Sequence, residues 1–333
     1  MATIYEVSAL AGVSLATVSR VINGTGRVSE KTSEKVKDAI RTLDYRPSSA
    51  AKSLASNRTD SIGVLVSEFH GPFYGAMMSG IESELRAKGK HGIFAAGHSD
   101  EASEKEGIEF LVNRSCDALI LHVEAVSDDY LIELAKGKTP FVLINRFIPE
   151  LADICISLNN DMGGRLAALA MLDKGHKHIA YVSGPLWKDD SSDRLQGFKR
   201  ALEKASVPFD DDLLFEGDYH EESGLKALLS FVNSKKKFTA VACANDEMAS
   251  GVYKAARDLG MNLPEDLSVV GFDHSIFAGY LHPQLSSVNY PIGRMGKMAA
   301  RLVLRNIYKA IIKDIKHEFE PELISHGSIA PPK

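Results

Sequence analysis

Thr3-Ile4-Tyr5-Glu6-Val7-Ser8-Ala9-Leu10-Ala11-Gly12-Val13-Ser14-Leu15-Ala16-Thr17-Val18-Ser19-Arg20-Val21-Ile22-Asn23 predicts two short helices joined by a tight turn. Thr3 stands three residues before Glu6, the spacing of a capping box. Ile4, Val7, Leu10 and Ala11 give the first helix an apolar face, and Gly12 supplies the backbone angles of a sharp turn. Ser14 then caps a second helix. That helix turns Val18, Val21 and Ile22 inward and leaves Leu15, Ala16, Thr17, Ser19 and Arg20 outward. A helix-turn-helix places the N-terminal end of its second helix in the DNA major groove. Arg20 can hold a guanine by two bonds there, and Leu15 and Ala16 can touch thymine methyl groups. Thr3, Ser14, Thr17 and Ser19 suit phosphate contact or capping better than base readout. A third helix is expected from about Glu30 to Leu43, capped by Ser29, with Lys31, Lys35 and Lys37 available to phosphates.

The charge distribution agrees with a head that meets phosphates. Residues 1–58 carry nine Lys/Arg against five Asp/Glu, whereas the whole chain of 333 residues stands at -5. A basic head therefore sits on an acidic body. The chain is 44% hydrophobic and 25% charged, which suits a globular protein of two or three domains. Cys116, Cys155 and Cys243 have no metal or redox spacing and read as small buried hydrophobes in a reducing compartment. No signal-peptide pattern and no apolar run of about 18 residues is visible, so the expectation is a cytoplasmic protein without a membrane span.

Beyond Ser61 the pattern becomes alternating strand and helix. Strands are expected at Ile62–Val66, Gly92–Ala96, Ala118–His122, Phe141–Asn145, Ile154–Leu158, Ile179–Val182, Leu213–Glu216, Ala240–Ala244 and Leu267–Phe272. Helices fall between them, including Pro72–Lys88, Asp193–Ala205 and Glu247–Leu259. A last helix runs from about Gly293 to Ile312, followed by an extended stretch near Glu320–Ile324. The fold class is thus a small all-α helix-turn-helix head plus an α/β body of two doubly wound parallel-sheet lobes. The expected boundaries are 1–46 for the head, 47–60 for a hinge helix and linker, and 61–333 for the body. Within the body, the first lobe takes about 61–160 plus 291–325, and the second about 161–290. Ligands of such sheets bind at the carboxyl ends of the strands, here in the cleft between the lobes.

Enzyme readings find no support. Gly24-Thr25-Gly26 follows a helix rather than a strand, and no P-loop, HExxH or Gly-x-Ser-x-Gly elbow occurs. Asp273-His274-Ser275 are sequence neighbours that cannot converge as a catalytic triad. His176-Lys177-His178 reads as surface. No catalytic residue, metal site or cofactor is expected.

GVSLATVSRVIN (12–23), YRPSSAAKSLA (45–55), DRLQGF (193–198), TAVACAND (239–246) and GFDH (271–274) together resemble the LacI/GalR family of bacterial transcriptional regulators over essentially the whole chain. PFYGAM (72–77), VNRSCDALILH (112–122), VLINR (142–146) and VNYP (288–291) are similar to the galactose repressor and isorepressor branch. The resemblance implies a periplasmic-binding-protein-like body and a homodimer that reads a pseudo-palindromic operator. It also implies a linker helix whose Leu54 wedges between base steps of the minor groove, with Ala51, Lys52 and Ala55 on or beside the same face. The lack of a heptad tail points to a dimer rather than a tetramer. In the cleft, the family's effector contacts match Arg194, Asn245 and Asp273 for sugar hydroxyls and Phe73 and Tyr219 for the apolar ring face. Asn145 and Tyr290 match contacts on the opposite lobe or hinge. The galactose branch carries an acidic residue just before its Pro-Phe, where this chain has Gly71. The implied function is repression of sugar-metabolism genes, relieved by galactose or a related hexose. The alternatives are a corepressor-dependent regulator with a non-galactose or purine-like effector, and a sugar receptor without a DNA role. A sugar-processing enzyme lacks a catalytic constellation.

Overall fold

The computed structural model describes residues 2–46 and 58–333. Ala51, Lys52, Leu54 and Ala55 of the expected linker helix lie outside those residues. The chain divides into two compact units, Met1–Asp60 and Ser61–Lys333.

The head is built from α1 (Ile4–Ala11), α2 (Leu15–Asn23) and α3 (Glu30–Thr42). Each begins at the cap its sequence announces. The Glu6 amide donates to Thr3 Oγ1 at 3.4 Å, and the Thr3 amide returns a bond to Glu6 Oε2 at 2.7 Å. Ser14 and Ser29 accept from the amides of Thr17 and Thr32 at 3.3 and 3.2 Å. Gly12 ends α1 at φ 64°, a left-handed angle open to a residue without Cβ. Val7, Ala11, Val18, Val36 and Ala39 form the small core. Ile40 and Leu43 pack at its edge, half-buried.

The body holds two six-stranded sheets. The first contains β1 (Ser61–Val66), β2 (His91–Ala96), β3 (Ala118–Leu121), β4 (Phe141–Ile144), β5 (Cys155–Leu158) and β11 (Glu318–Phe319), in the order β11-β5-β4-β3-β1-β2. The second contains β6 (Ile179–Ser183), β7 (Leu214–Glu216), β8 (Ala240–Cys243), β9 (Ser268–Asp273), β10 (Ser286–Asn289) and β12 (Glu322–Ile324), in the order β12-β10-β9-β8-β6-β7. Every neighbouring pair is parallel except β10 with β12. Ile62, Val64, Leu65 and Val66 are all buried, as a strand covered on both faces requires. Helices α4 (Gly71–Arg86), α5 (Glu101–Asn113), α6 (Asp128–Ala135) and α12 (Ile292–Tyr308) belong to the first lobe. The second lobe carries α7 (Asn160–Leu172), α8 (Asp189–Lys204), α9 (Glu221–Asn233), α10 (Asp246–Asp258) and α11 (Ile276–Tyr280). The chain passes between the lobes at 158–160, 289–292 and 319–322.

Several boundaries move from the sequence reading. The last helix ends at Tyr308, where Lys309 turns left-handed at φ 57°. Residues 322–324, assigned above to the first lobe, pair with β10 in the second sheet. Helix α8 begins at Asp189 rather than Asp193, with two aspartates in the first turn where the helix dipole favours them. Helix α6 and strand β10 were not anticipated. His176 is not a surface residue. It is 1% exposed, with Nδ1 at 2.8 Å from Thr239 Oγ1 and Nε2 at 2.8 Å from the Ala330 carbonyl. The C-terminal tail covers it, a contact 154 residues away in sequence. The three cysteines are free and buried, and burial pushes the Cys116 thiol up to about 11.

Candidate functional site

On the head, Leu15, Ala16 and Arg20 are exposed on α2 while Val18 is fully buried. These three side chains face outward, as the apolar pattern of the helix predicts. The Thr3, Ser14 and Thr17 hydroxyls engage in capping bonds, so their first role here is to hold helix ends. Ser19 is half-buried on the same helix. Tyr5 on α1 is 69% exposed, an aromatic that the apolar periodicity did not single out.

In the body, the cleft between the lobes holds about 640 Å³ of empty space, part of it open to solvent. Its walls are the residues that follow the carboxyl ends of β1, β3 and β4 in one lobe and β6, β7, β8 and β9 in the other. Six of the seven residues expected to contact an effector line it: Phe73, Asn145, Arg194, Tyr219, Asn245 and Asp273. Tyr290 does not. It is 2% exposed at the second lobe crossing and packs behind Phe73, with ring centroids 5.0 Å apart.

Asn145, Tyr219 and Asp273 all hold left-handed backbone, at φ 61°, 73° and 98°. Non-glycine residues adopt such angles at a cost of order 1–3 kcal/mol, a strain that gathers at binding sites.

Arg194 is the hub of the second-lobe wall. Gly164 lets α7 press against α8, since a Cβ there would overlap the Arg194 carbonyl. The guanidinium donates to Asn160 Oδ1 at 2.9 Å, the Ala244 carbonyl at 2.7 Å and Asp190 Oδ2 at 3.4 Å. It stacks on Phe272 at 3.9 Å from the ring centroid. Burial works against its charge, but Tyr219, Asp190 and Asp273 outweigh that and raise its pKa further. Asp273 is pushed well above the ordinary carboxyl range by burial, in spite of Arg194. Asn245 serves the fold as well as the cleft. Its Oδ1 caps α10 through the Met248 amide at 2.8 Å, and its Nδ2 donates to the Tyr219 carbonyl at 2.7 Å.

Three ties cross the cleft among the described residues. Lys188 of the second lobe meets Glu124 of the first at 2.7 Å, with both side chains nearly buried, and donates to Ser99 Oγ at 3.0 Å. Asn145 Nδ2 donates to Asp190 Oδ2 at 3.2 Å. Glu124 is held in place from behind. Glu104, 1% exposed, accepts the amides of Glu124, Ala125 and Val126 at 2.8 to 3.2 Å. Burial opposes the Glu124 charge, but His122 and Lys188 prevail and lower its pKa. None of Glu104, Glu124 and Lys188 was anticipated, and no local pattern marks them. The lining carries six carboxyl groups against two cations, and although burial shifts Asp273 and Glu247 toward their neutral forms, the surplus still disfavours an anion. Buried His122 Nε2 and Asn145 Oδ1 find no partner among the described residues. Buried polar atoms are otherwise almost always bonded.

A helix-turn-helix on a two-lobed binding body defines a DNA-binding regulator that answers to a small molecule. Residues 3–48 match the model of bacterial regulatory proteins of the lacI family, and 168–329 match the periplasmic binding protein-like domain. The HTH-type transcriptional regulator GalR of Salmonella typhimurium (strain LT2) is 36% identical over 332 residues, spanning 100% of this chain and 97% of that protein. The HTH-type transcriptional repressor PurR of Proteus mirabilis is 34% identical, over 99% of this chain and 97% of that one. The lac repressor dimer bound to operator and the anti-inducer ONPF superposes with a TM-score of 0.87, at 26% identity, over 99% of each chain. The chain belongs to the LacI family of bacterial transcriptional regulators. It is a DNA-binding transcriptional repressor and not an enzyme. Among the described residues no helix is long and apolar enough to cross a membrane.

Proposed function

We propose that this repressor controls sugar-metabolism genes as a cytoplasmic homodimer and releases its operator when galactose or a related neutral hexose enters the cleft. The observation that carries this reading is the chemistry of the lining. Phe73 and Tyr219 offer aromatic faces, while Arg194, Asp273, Asn145 and His122 offer hydrogen-bonding atoms around them. The surplus of carboxyl groups over cations speaks against a phosphosugar. Gly71 removes one carboxylate expected of the galactose branch, yet a Cβ placed there would lie 3.6 Å from Glu247 Oε2. Glu247 thus brings a carboxylate from the opposite lobe to nearly the same place. On the head, Arg20, Leu15 and Ala16 read bases, with Thr3, Ser14, Thr17 and Ser19 near phosphates. Leu54 acts as the minor-groove wedge, flanked by Ala51, Lys52 and Ala55. A purine-like corepressor remains the second reading, motivated by the PurR relative.

Calorimetry on the full chain tests the effector class. Galactose is expected to saturate one site per chain, and glucose 6-phosphate to give no heat. Arg194→Lys keeps the charge but loses the planar fork. It should weaken galactose by about 10–150-fold, the worth of a charged hydrogen bond of about 1.5–3 kcal/mol. Heat from hypoxanthine, with none from any neutral hexose, would favour the corepressor reading and end this one.

A further inference from the structure

His70, His220 and Glu247 meet at the cleft, the first from one lobe and the other two from the opposite lobe. One ligand atom from each lies within 4.8 Å of the other two. His220 Nδ1 and Glu247 Oε1 stand 3.4 Å apart. Two ligands about 2.0–2.1 Å from one tetrahedral zinc are separated by about 3.3–3.4 Å. This pair already has that bite. Both histidines occupy N-cap positions, of α4 and α9, yet neither side chain makes a capping bond. Their rings lie across the cleft from each other, centroids 6.3 Å apart and planes tilted by 58°.

The donor set narrows the ion. Two imidazoles and a carboxylate suit zinc and its neighbours rather than magnesium or calcium, which take oxygen ligands. Three protein ligands leave a fourth position for water or a guest hydroxyl. The surplus of carboxylates in the lining attracts a dication. The sequence hides the site because its members are 150 and 27 residues apart, with none of the short spacings that mark metal motifs.

We propose that His70, His220 and Glu247 form a binding site for a zinc-class divalent ion that clips the two lobes together at the cleft. Ligands on both lobes mean that the ion binds the closed arrangement more tightly than an open one, and so enriches it. The site lies in the effector cleft and shares Glu247 with the carboxylate assigned there to the sugar, but metal binding itself needs no sugar and is read without one.

The test uses the full-length protein, stripped with chelator and titrated with zinc chloride or cobalt chloride alone. One ion per chain is expected, with the visible absorption of cobalt in a low-coordinate nitrogen and oxygen site and a rise in Tm on zinc addition. His70→Ala leaves the second-lobe pair intact and removes only the bridge. Losing even an outer-shell partner costs about 10–100-fold in metal affinity, so losing a ligand should cost at least that. The rise in Tm should vanish with it. Glu247→Gln should weaken binding similarly, and far-UV circular dichroism confirms that each variant is folded. No cobalt band at saturation, or zinc binding unchanged in His70→Ala and Glu247→Gln, overturns the proposal. Galactose calorimetry that fails while zinc binding holds would sink only the effector reading.

Discussion

At the scale of single residues, Asp246 supports the cleft from within the second lobe, beneath the turn that carries Asp273. It is fully buried, and its two oxygens accept from Ser287 Oγ and the Ser275 amide, each at 2.6 Å. Ser287 in turn accepts the His274 amide at 2.9 Å. The turn that presents Asp273 is therefore pinned from beneath. Burial pushes the Asp246 carboxyl from 3.8 to about 7, against the pull of those hydrogen bonds. The sign follows from linkage. The native chain keeps a proton that the unfolded chain releases near its ordinary pKa, so this residue's contribution falls as pH rises from about 4 to about 7. Asp246→Asn cannot titrate. Urea unfolding at pH 5, 6, 7 and 8 should show the wild type losing stability relative to the variant as pH climbs toward 7. A constant gap between the two would show that Asp246 is not held protonated by the fold.

At the scale of elements, α2 carries the proposed sequence readout. Arg20→Ala should cost about 1–3 kcal/mol in operator affinity and relax selection at one base, measured by fluorescence anisotropy on operator variants. Leu54→Ala should weaken specific binding while leaving galactose calorimetry unchanged. Operator affinity unaltered by both substitutions would remove the readout and the wedge. Elements of this kind were legible in the sequence because their signals are local. Thr3 with Glu6, Ser14 with Thr17 and Gly12 all act within a few residues, and the apolar strands announce themselves by run length. Strand β10 was missed because Ser286-Ser287-Val288-Asn289 is polar. Its serines are buried only because the tail and Asp246 bond them. The cleft was legible in the positions matched to the family. Glu124, Lys188 and Glu104 were not, since their partners lie 20 to 89 residues away and exist only once the two sheets face each other.

At the scale of the whole molecule, the body is two similar sheets joined by three crossings and tied across the cleft by Lys188–Glu124 and Asn145–Asp190. A buried ion pair offsets its own desolvation only with good geometry, so it adds little net stability. It does make the closed arrangement specific, and a guest that bonds His122, Asn145 and Arg194 together would shift the balance between arrangements. Repression then depends on how much that shift is worth at the operator. A coupling of about 1–3 kcal/mol changes affinity by about 5–150-fold. The direct measurement is the dissociation constant of the full-length protein for a palindromic operator at fixed salt, with and without saturating galactose or a related hexose. A fall in affinity within that range is predicted. Affinity that stays the same with every neutral hexose, or that rises, contradicts the account.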